Sequence, residues 1–352
     1  MKFKLQFGPR PFRLCFELKA NTYSDEIVRA VLVQKDAASS LVLDDHPAPA
    51  CGREEVLIKV HATAVNRADL LQRRGLYPPP SGASEILGLE AAGEIMAVGD
   101  RVTEWRMGER VFCLLAGGGY AEQVAVHQDL LLRLPKGWTF EQAAAVPEAY
   151  YTAFVNLFVE AKLQARELLL VHAGGSGVGT AAIQMARLAG ALVLVTAGSD
   201  EKLQECRFLG ANHAINYKQH DFALMARKLT NDSGLDVILD CVGAAYWEKN
   251  LALLRTRGRL VLIGLMGGAK AEVDLALLMR KRLRVIGSVL RSRTLKEKIA
   301  LTRLFRARVL PQFENGSLHP VIDKVFPLAE AEQAHAYVAS NQNFGKVVLK
   351  VD

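Results

Sequence analysis

Between residues 168 and 289 short apolar runs alternate with helical stretches at a regular pitch. The run 168–171 (Leu-Leu-Leu-Val) predicts a buried strand, and a glycine-rich turn follows it at 174–179. An Ala-rich helical stretch is expected from about Thr180. Further strands are expected at 191–196, 214–217, 236–240, within 258–264 and at 284–289. Between them the spacing predicts helices at 200–209, 222–229 and 247–254, with a Leu-rich one near Leu275. Such alternation implies a doubly wound parallel sheet, an α/β architecture. Residues 28–126 differ in character. Runs at 28–33, 56–60, 94–98 and 110–112 are broken by Gly88, Gly93, Gly99 and Gly108, which predicts a small antiparallel β domain. A long helix is expected after Pro147 to join the parts. Beyond it, a helix near 295–305, strands at 324–327 and 346–350, and a helix at 331–339 return the chain to the first domain.

The strand, glycine turn and helix give the first chemical signal. Gly174, Gly175, Ser176, Gly177, Val178 and Gly179 form a turn whose backbone N–H groups suit a dinucleotide pyrophosphate at a helix N-terminus. A side chain there would block the phosphates or the helix–strand packing. Aligned as G-x-G-x-x-G from Gly174, Ser176 stands at the middle glycine position.

The end of the second strand bears on the choice of cofactor. In an NAD site an acid there holds the ribose hydroxyls. Here the chain reads Thr196-Ala197-Gly198-Ser199, and Lys202 follows at the start of a helix. A hydroxyl and an amine would hold a 2′-phosphate that a carboxylate would repel. Tyr217 offers a phenolic donor at the end of the third strand. NADPH is therefore expected, with Asp200 as the residue that argues for a free ribose.

The chain has 352 residues, no run long and apolar enough to span a membrane, and five dispersed cysteines (15, 51, 113, 206 and 241) without CxxC spacing. Its eight histidines form no His-x-x-x-His pair, so no metal is expected. Cys241 ends a strand that should face the cofactor cleft, where its thiol would be accessible. The net charge is +7. Basic residues crowd 280–284, with Arg291, Arg293, Lys296 and Lys298 beyond. Three readings of this patch stay open: a solvated face, attraction of an anionic cofactor, and nucleic-acid binding without aromatic support. Residues 1–26 form an extension. Its basic residues suit a transit peptide, but Pro9, Pro11 and few serines favour a plain extension and a cytoplasmic location.

Several motifs occur in a telling order. They are Asn66-Arg67-Ala68-Asp69, Tyr77-Pro78-Pro79-Pro80, Leu87-Gly88-Leu89-Glu90-Ala91-Ala92-Gly93, Gly117-Gly118-Gly119-Tyr120-Ala121-Glu122, Ala145-Val146-Pro147-Glu148, the 173–184 glycine segment, and Asn343-Phe344-Gly345-Lys346-Val347-Val348-Leu349. As a set, over residues 27–352, they resemble the zeta-crystallin-like, zinc-free quinone oxidoreductases of the medium-chain dehydrogenase/reductase superfamily. Ser176, Leu-Met-Gly-Gly at 265–268 and Leu-Arg-Ser-Arg at 290–293 resemble its tumour-suppressor-inducible branch.

The resemblance implies a GroES-like catalytic domain (27–148 and 292–352), a Rossmann domain (149–291) and NADPH in the cleft between them. Zinc-dependent relatives carry a ligand Cys where the Asn66 motif lies and Gly-His-Glu where Gly88-Leu89-Glu90 lies. It implies that Cys241, Gly243, Gly264, Leu265, Phe344, Gly345 and Lys346 help to hold the cofactor. It places Tyr77 and Asn66 near the nicotinamide as polar contacts to the acceptor carbonyl. The expected activity is metal-free hydride transfer from NADPH to a quinone (NADPH:quinone oxidoreductase, class EC 1.6.5), since an electron-poor carbonyl needs no Lewis acid. The alternatives are an NADPH-dependent enoyl or enone reductase and a non-enzymatic RNA-binding or crystallin-like protein. A homodimer, or a tetramer of dimers, is expected: residues 284–289 would close the Rossmann sheet as an apolar edge that a two-fold mate can cover.

Overall fold

The computed structural model describes residues 23–34 and 39–351. Fifteen strands form among them: β1 (Tyr23–Val33), β2 (Leu41–Pro49), β3 (Glu55–Val65), β4 (Glu90–Val98), β5 (Arg110–Leu114), β6 (Gln123–His127), β7 (Leu131–Arg133), β8 (Leu168–Val171), β9 (Leu192–Ala197), β10 (His213–Asn216), β11 (Leu235–Asp240), β12 (Leu254–Leu262), β13 (Arg284–Gly287), β14 (Ile322–Pro327) and β15 (Lys346–Lys350).

The Rossmann sheet is parallel throughout, in the order β10-β9-β8-β11-β12-β13. The order reverses between β8 and β11, so a crevice opens at their carboxyl ends, the place where such sheets bind ligands. Central strands β8, β9 and β11 are apolar on both faces because helices cover both. Leu169, Leu170, Val193, Val195, Val237 and Ile238 are fully buried.

The GroES-like sheet runs β14-β15-β3-β4-β5-β7, with β6 also on β3. It is antiparallel except where β14 lies parallel to β15. That departure from the expected antiparallel pattern follows from the connection, because the helix Ala331–Ala339 carries the chain back over the sheet. β1 begins at Tyr23, inside the expected 1–26 extension, and pairs with β2. The transit-peptide and plain-extension readings of residues 1–22 lie outside the described residues.

Three expected elements are corrected. The helix after the glycine turn starts at Gly177, three residues earlier than Thr180, because the Ser176 hydroxyl accepts the Gly179 N–H at 3.0 Å and caps it there. The helix after Pro147 is α-helical only over Pro147–Phe154 and continues as one π-turn, Val155–Glu160. β13 stops at Gly287, so Val289 stands beyond the edge strand. No helix among the described residues is long and apolar enough to cross a membrane.

Candidate functional site

The glycine turn leaves β8 and enters the helix Gly177–Leu188. Its glycines are there for space. A Cβ on Gly179 would collide with the Ala173 and Gly174 carbonyl oxygens. One on Gly175 would press at 3.1 Å on both the Lys202 stem and the Phe344 ring. One on Gly177 would meet Lys346 Cδ at 2.5 Å and Ala149 Cβ at 3.7 Å. The turn is a cradle that backbone lines and side chains only flank.

The GroES-like domain reaches into that cradle. The Gly345 N–H donates to the Gly175 carbonyl at 2.8 Å, and Ser176 and Gly345 form a parallel bridge. Gly345 holds φ +86°, and a Cβ there would strike the Val321 carbonyl. Phe344, Gly345 and Lys346 therefore meet the turn directly.

At the end of β9, Ser199 caps the helix Asp200–Leu209. A Cβ on Gly198 would stand 2.8 Å from Tyr217 Oη and 3.2 Å from Lys218 Cε, so both side chains lie over Gly198. Lys202 Nζ donates to the Asn341 and Asn343 carbonyls at 2.6 and 2.8 Å. Burial lowers its pKa, and the like charges of Lys218 and Arg67 act on it too. Lys218 was not singled out in the sequence because nothing local marks it, and Arg67 stood only within the Asn66 motif; the fold brings both to Lys202. Asp200 is committed elsewhere. Its carboxylate accepts from Asn216 Nδ2 at 2.9 Å and Gln219 Nε2 at 3.3 Å.

Behind the crevice lies a buried polar chain that the sequence reading missed. His172 Nε2 donates to Asn250 Oδ1 at 2.9 Å, and the Thr196 hydroxyl meets His172 Nδ1 at 3.0 Å. Burial lowers the His172 pKa and holds it neutral. Asn250 donates to Asp240, whose carboxylate also accepts the Val242 and Gly243 N–H groups at 2.6 and 3.1 Å. This fixes the loop after β11, where Gly243 sits at φ +82°. Gly267 and Met266 donate to Val242 and Cys241, so the loop holding Gly264 and Leu265 packs against it. Cys241 is half-buried, and burial with the Asp240 charge pushes its thiol up to about 12. The thiol expected to be accessible there is half-buried, and it stays protonated at neutral pH.

On the other wall Asn66 ends β3 and opens the helix Arg67–Arg73. Its amide is fully engaged. Oδ1 accepts from Lys346 Nζ at 2.6 Å, and Nδ2 donates to Glu90 Oε1 at 2.7 Å and the Ala64 carbonyl at 3.2 Å. A contact from Asn66 to an acceptor would have to replace one of these bonds. Lys346 Nζ also reaches Glu90 Oε1 at 2.7 Å. Asp69 beneath accepts from the Asn66 and Gly88 N–H groups and the Tyr120 hydroxyl. Burial raises its pKa to about 6.

Tyr77 lies across the cleft, its ring 5.4 Å from the Arg291 guanidinium. Arg291 donates to the Ala116 and Tyr77 carbonyls at 2.7 and 3.2 Å. At 3% exposure it is no part of a solvated basic face, which corrects that reading for this residue. Arg293 pairs with Glu160, and Lys281 donates to the Ala252 and Leu254 carbonyls.

The family comparisons follow the same two-part division. Residues 52–136 match the Alcohol dehydrogenase GroES-like domain, and residues 177–305 match the Zinc-binding dehydrogenase family. The quinone oxidoreductase of Rattus norvegicus is 35% identical over 303 residues, covering 86% of this chain and 90% of its own length. The chain belongs to the zeta-crystallin-like quinone oxidoreductases of the medium-chain dehydrogenase/reductase superfamily. A solved quinone oxidoreductase of this family, from Pseudomonas syringae pv. Tomato DC3000, superposes with TM-score 0.82 at 28% identity, over 92% of this chain and 100% of that one. The CurK enoyl reductase also superposes at TM-score 0.82, with 30% identity over 93% of this chain and 100% of that one.

The name of one matched family implies zinc, and the residues present do not fit it. The Asn66 amide oxygen is taken by an ammonium, whose charge would repel a cation. The Leu89 side chain, which precedes Glu90 in the chain, is buried and has no donor. Among the described residues no group of three or more His, Cys, Asp or Glu is placed to hold a metal ion. A nicotinamide dinucleotide does fit, in the cradle a Cβ would fill.

Proposed function

We propose that this quinone oxidoreductase is an NADPH-dependent, cytoplasmic homodimer that reduces quinones by hydride transfer without a metal. The observation that carries the reading is the junction of Gly345 with Gly175, which sets the polar wall of Asn66, Glu90 and Lys346 against the dinucleotide cradle. The bound cofactor would supply the hydride. The chain would supply alignment and exclusion of water, which suffice for an electron-poor acceptor. Gly174, Gly175, Ser176, Gly177, Val178 and Gly179 would hold the pyrophosphate, with the helix N-terminus favouring its charge.

NADPH over NADH is supported by Ser199 at the helix cap, Tyr217 and Lys218 over Gly198 and Lys202 beside Gly175, with Asp200 turned to Asn216. Lys202 would exchange two carbonyl partners for a phosphate, a stronger charge-assisted bond. Tyr77 would contact the acceptor from the opposite wall. The dimer reading is supported by β13 as an edge strand with Val285 at 39% exposure, and by the exposed Val289 just past its end.

The test is NADPH oxidation with a simple ortho-quinone, run on enzyme held in chelator and assayed for zinc by elemental analysis. Turnover without zinc is expected. Stoichiometric zinc, with activity lost to chelator and restored by the metal, would overturn it. A non-enzymatic protein would show no turnover at all. The enoyl-reductase reading stays second, on the likeness to CurK.

A further inference from the structure

Glu148 differs from the other acids of the cleft. It is the second residue of the helix Pro147–Phe154, and its backbone N–H donates to Glu90 Oε2 at 2.8 Å. With Lys346 and Asn66 on Oε1, that occupies both oxygens of Glu90. Asp69 is likewise saturated, by two backbone N–H groups and the Tyr120 hydroxyl. The Glu148 carboxyl, in contrast, makes no hydrogen bond among the described residues, and its side chain is only partly shielded from solvent.

Its position is central. Ala149, the next residue, lies beside the Gly177 turn. The charged and titratable groups acting on Glu148 come from every wall. Glu90 on β4, Lys346 on β15 and Asp69 on the helix after Asn66 lie on one side. Tyr77, Arg291 and Lys298 lie on the other. A free carboxyl thus stands between the Asn66–Lys346 pair and the Tyr77–Arg291 wall. Burial and the neighbouring Glu90 charge raise its pKa to about 8, so it carries a proton at neutral pH.

We propose that Glu148 is the general acid of the reaction, delivering a proton to the acceptor oxygen. The proposal rests on the quinone-reductase reading. The bound cofactor would supply a hydride, a hydrogen with its electron pair, to the quinone and would be oxidised by two electrons in doing so. The quinone, reduced by two electrons, is then a hydroquinone anion. The Glu148 O–H bond breaks as an O–H bond forms on that anion, giving the neutral hydroquinone. The carboxylate left behind faces Lys346 and Arg291, which favour it, and it regains a proton from water. Carboxyl groups held neutral at working pH are suited to this role.

The experiment compares wild type with Glu148→Gln, which keeps the shape and removes the proton. In cofactor-free protein, difference infrared spectra should show a protonated carboxyl band that titrates near pH 8 and is absent from the variant. With NADPH and an ortho-quinone, wild-type kcat should fall as pH rises through the same range. Glu148→Gln should lose that limb and about 100-fold in kcat. Its Kd for NADPH, by fluorescence titration, should stay within about twofold, where a packing role would move folding and binding together.

A variant with wild-type kcat and an unchanged alkaline limb would overturn the proposal, as would a wild-type protein with no such band. If Glu148→Gln fails to fold, Glu148→Asp decides the matter: a shifted limb is expected, and a limb at the wild-type position overturns it. A titrating band with no quinone turnover in wild type would overturn the quinone reading and leave the acid in place.

Discussion

The Lys346 ammonium stands 2.7 Å from a Glu90 carboxylate oxygen, and the two side chains are only 4% and 0% exposed. The pair joins the last strand of the GroES-like sheet to its centre at the point where Gly345 grips the dinucleotide turn. Two charges so far from water are tolerable only because each is satisfied. Lys346 donates to Glu90, Asn66 and the Val65 carbonyl, and Glu90 accepts from Lys346, Asn66 and the Glu148 N–H.

Removing one partner should therefore cost far more than removing both. Lys346→Met leaves a buried unpaired carboxylate and should destabilise the protein by about 3–5 kcal/mol. Adding Glu90→Gln should recover at least half of that loss in a denaturant titration. A single variant costing under about 1 kcal/mol would show the pair to be energetically idle.

Lys202 should decide cofactor choice. One charged phosphate contact is worth about 1.5–3 kcal/mol, or roughly tenfold to over a hundredfold. Lys202→Ala should raise KM for NADPH by that factor and leave NADH nearly unchanged. Equal losses on both cofactors would sink the assignment, and would point to the Asn341 and Asn343 carbonyls as the role of this side chain.

Stability should fall between about pH 7 and 8. Glu148 has its folded pKa raised to about 8. In this window the native state binds a proton that the unfolded state has released, so rising pH favours unfolding. His335, lowered to about 3, is already neutral in the native state and loses its unfolded-state proton near pH 6.5, so it and Asp69, at about 6, titrate mostly below the window. The slope should be at most about 1.4 kcal/mol per pH unit, reduced by the partial exposure of the side chain. Chemical denaturation of Glu148→Gln should show a flatter profile. An identical slope would remove Glu148 as its source.

The mass in solution should be twice the chain's 38.6 kDa, or a multiple of that. The edge strand β13 presents backbone and Val285 to solvent, which a two-fold mate would cover. Light scattering at micromolar concentration tests this. A clean monomer would reject it, and Ile286→Pro with no change in mass would move the seam elsewhere.

Much of the Rossmann sheet was legible because its strands are continuous apolar runs and its helices end at glycine or start at a capping side chain. The helices 200–209 and 222–229 have their expected bounds, with Ser199 and Asp221 as caps. β2 was missed because Asp44, Asp45 and His46 hide its alternation and two prolines suggest a loop. β6 and β7 are short and pair far along the chain, with β3 and β5. In the site, the glycine cradle carries a local signature. The chain His172–Asn250–Asp240 does not, and the motifs around Arg291 and Glu148 say nothing of their burial or their free hydrogen-bonding capacity. Each is assembled from segments distant in sequence, and the basic residues around Arg291 looked like surface.

This site is proposed to pass a hydride from NADPH to a quinone. The most direct measurement is kcat/KM for a panel of quinones and 2-enoyl thioesters, each with NADPH and with NADH, following cofactor absorbance on zinc-free enzyme. Turnover of ortho-quinones is expected, at least tenfold preferred over the thioesters, with NADPH the better donor. Efficient reduction of the enoyl thioesters with quinones left untouched would contradict it and make the protein an enoyl reductase.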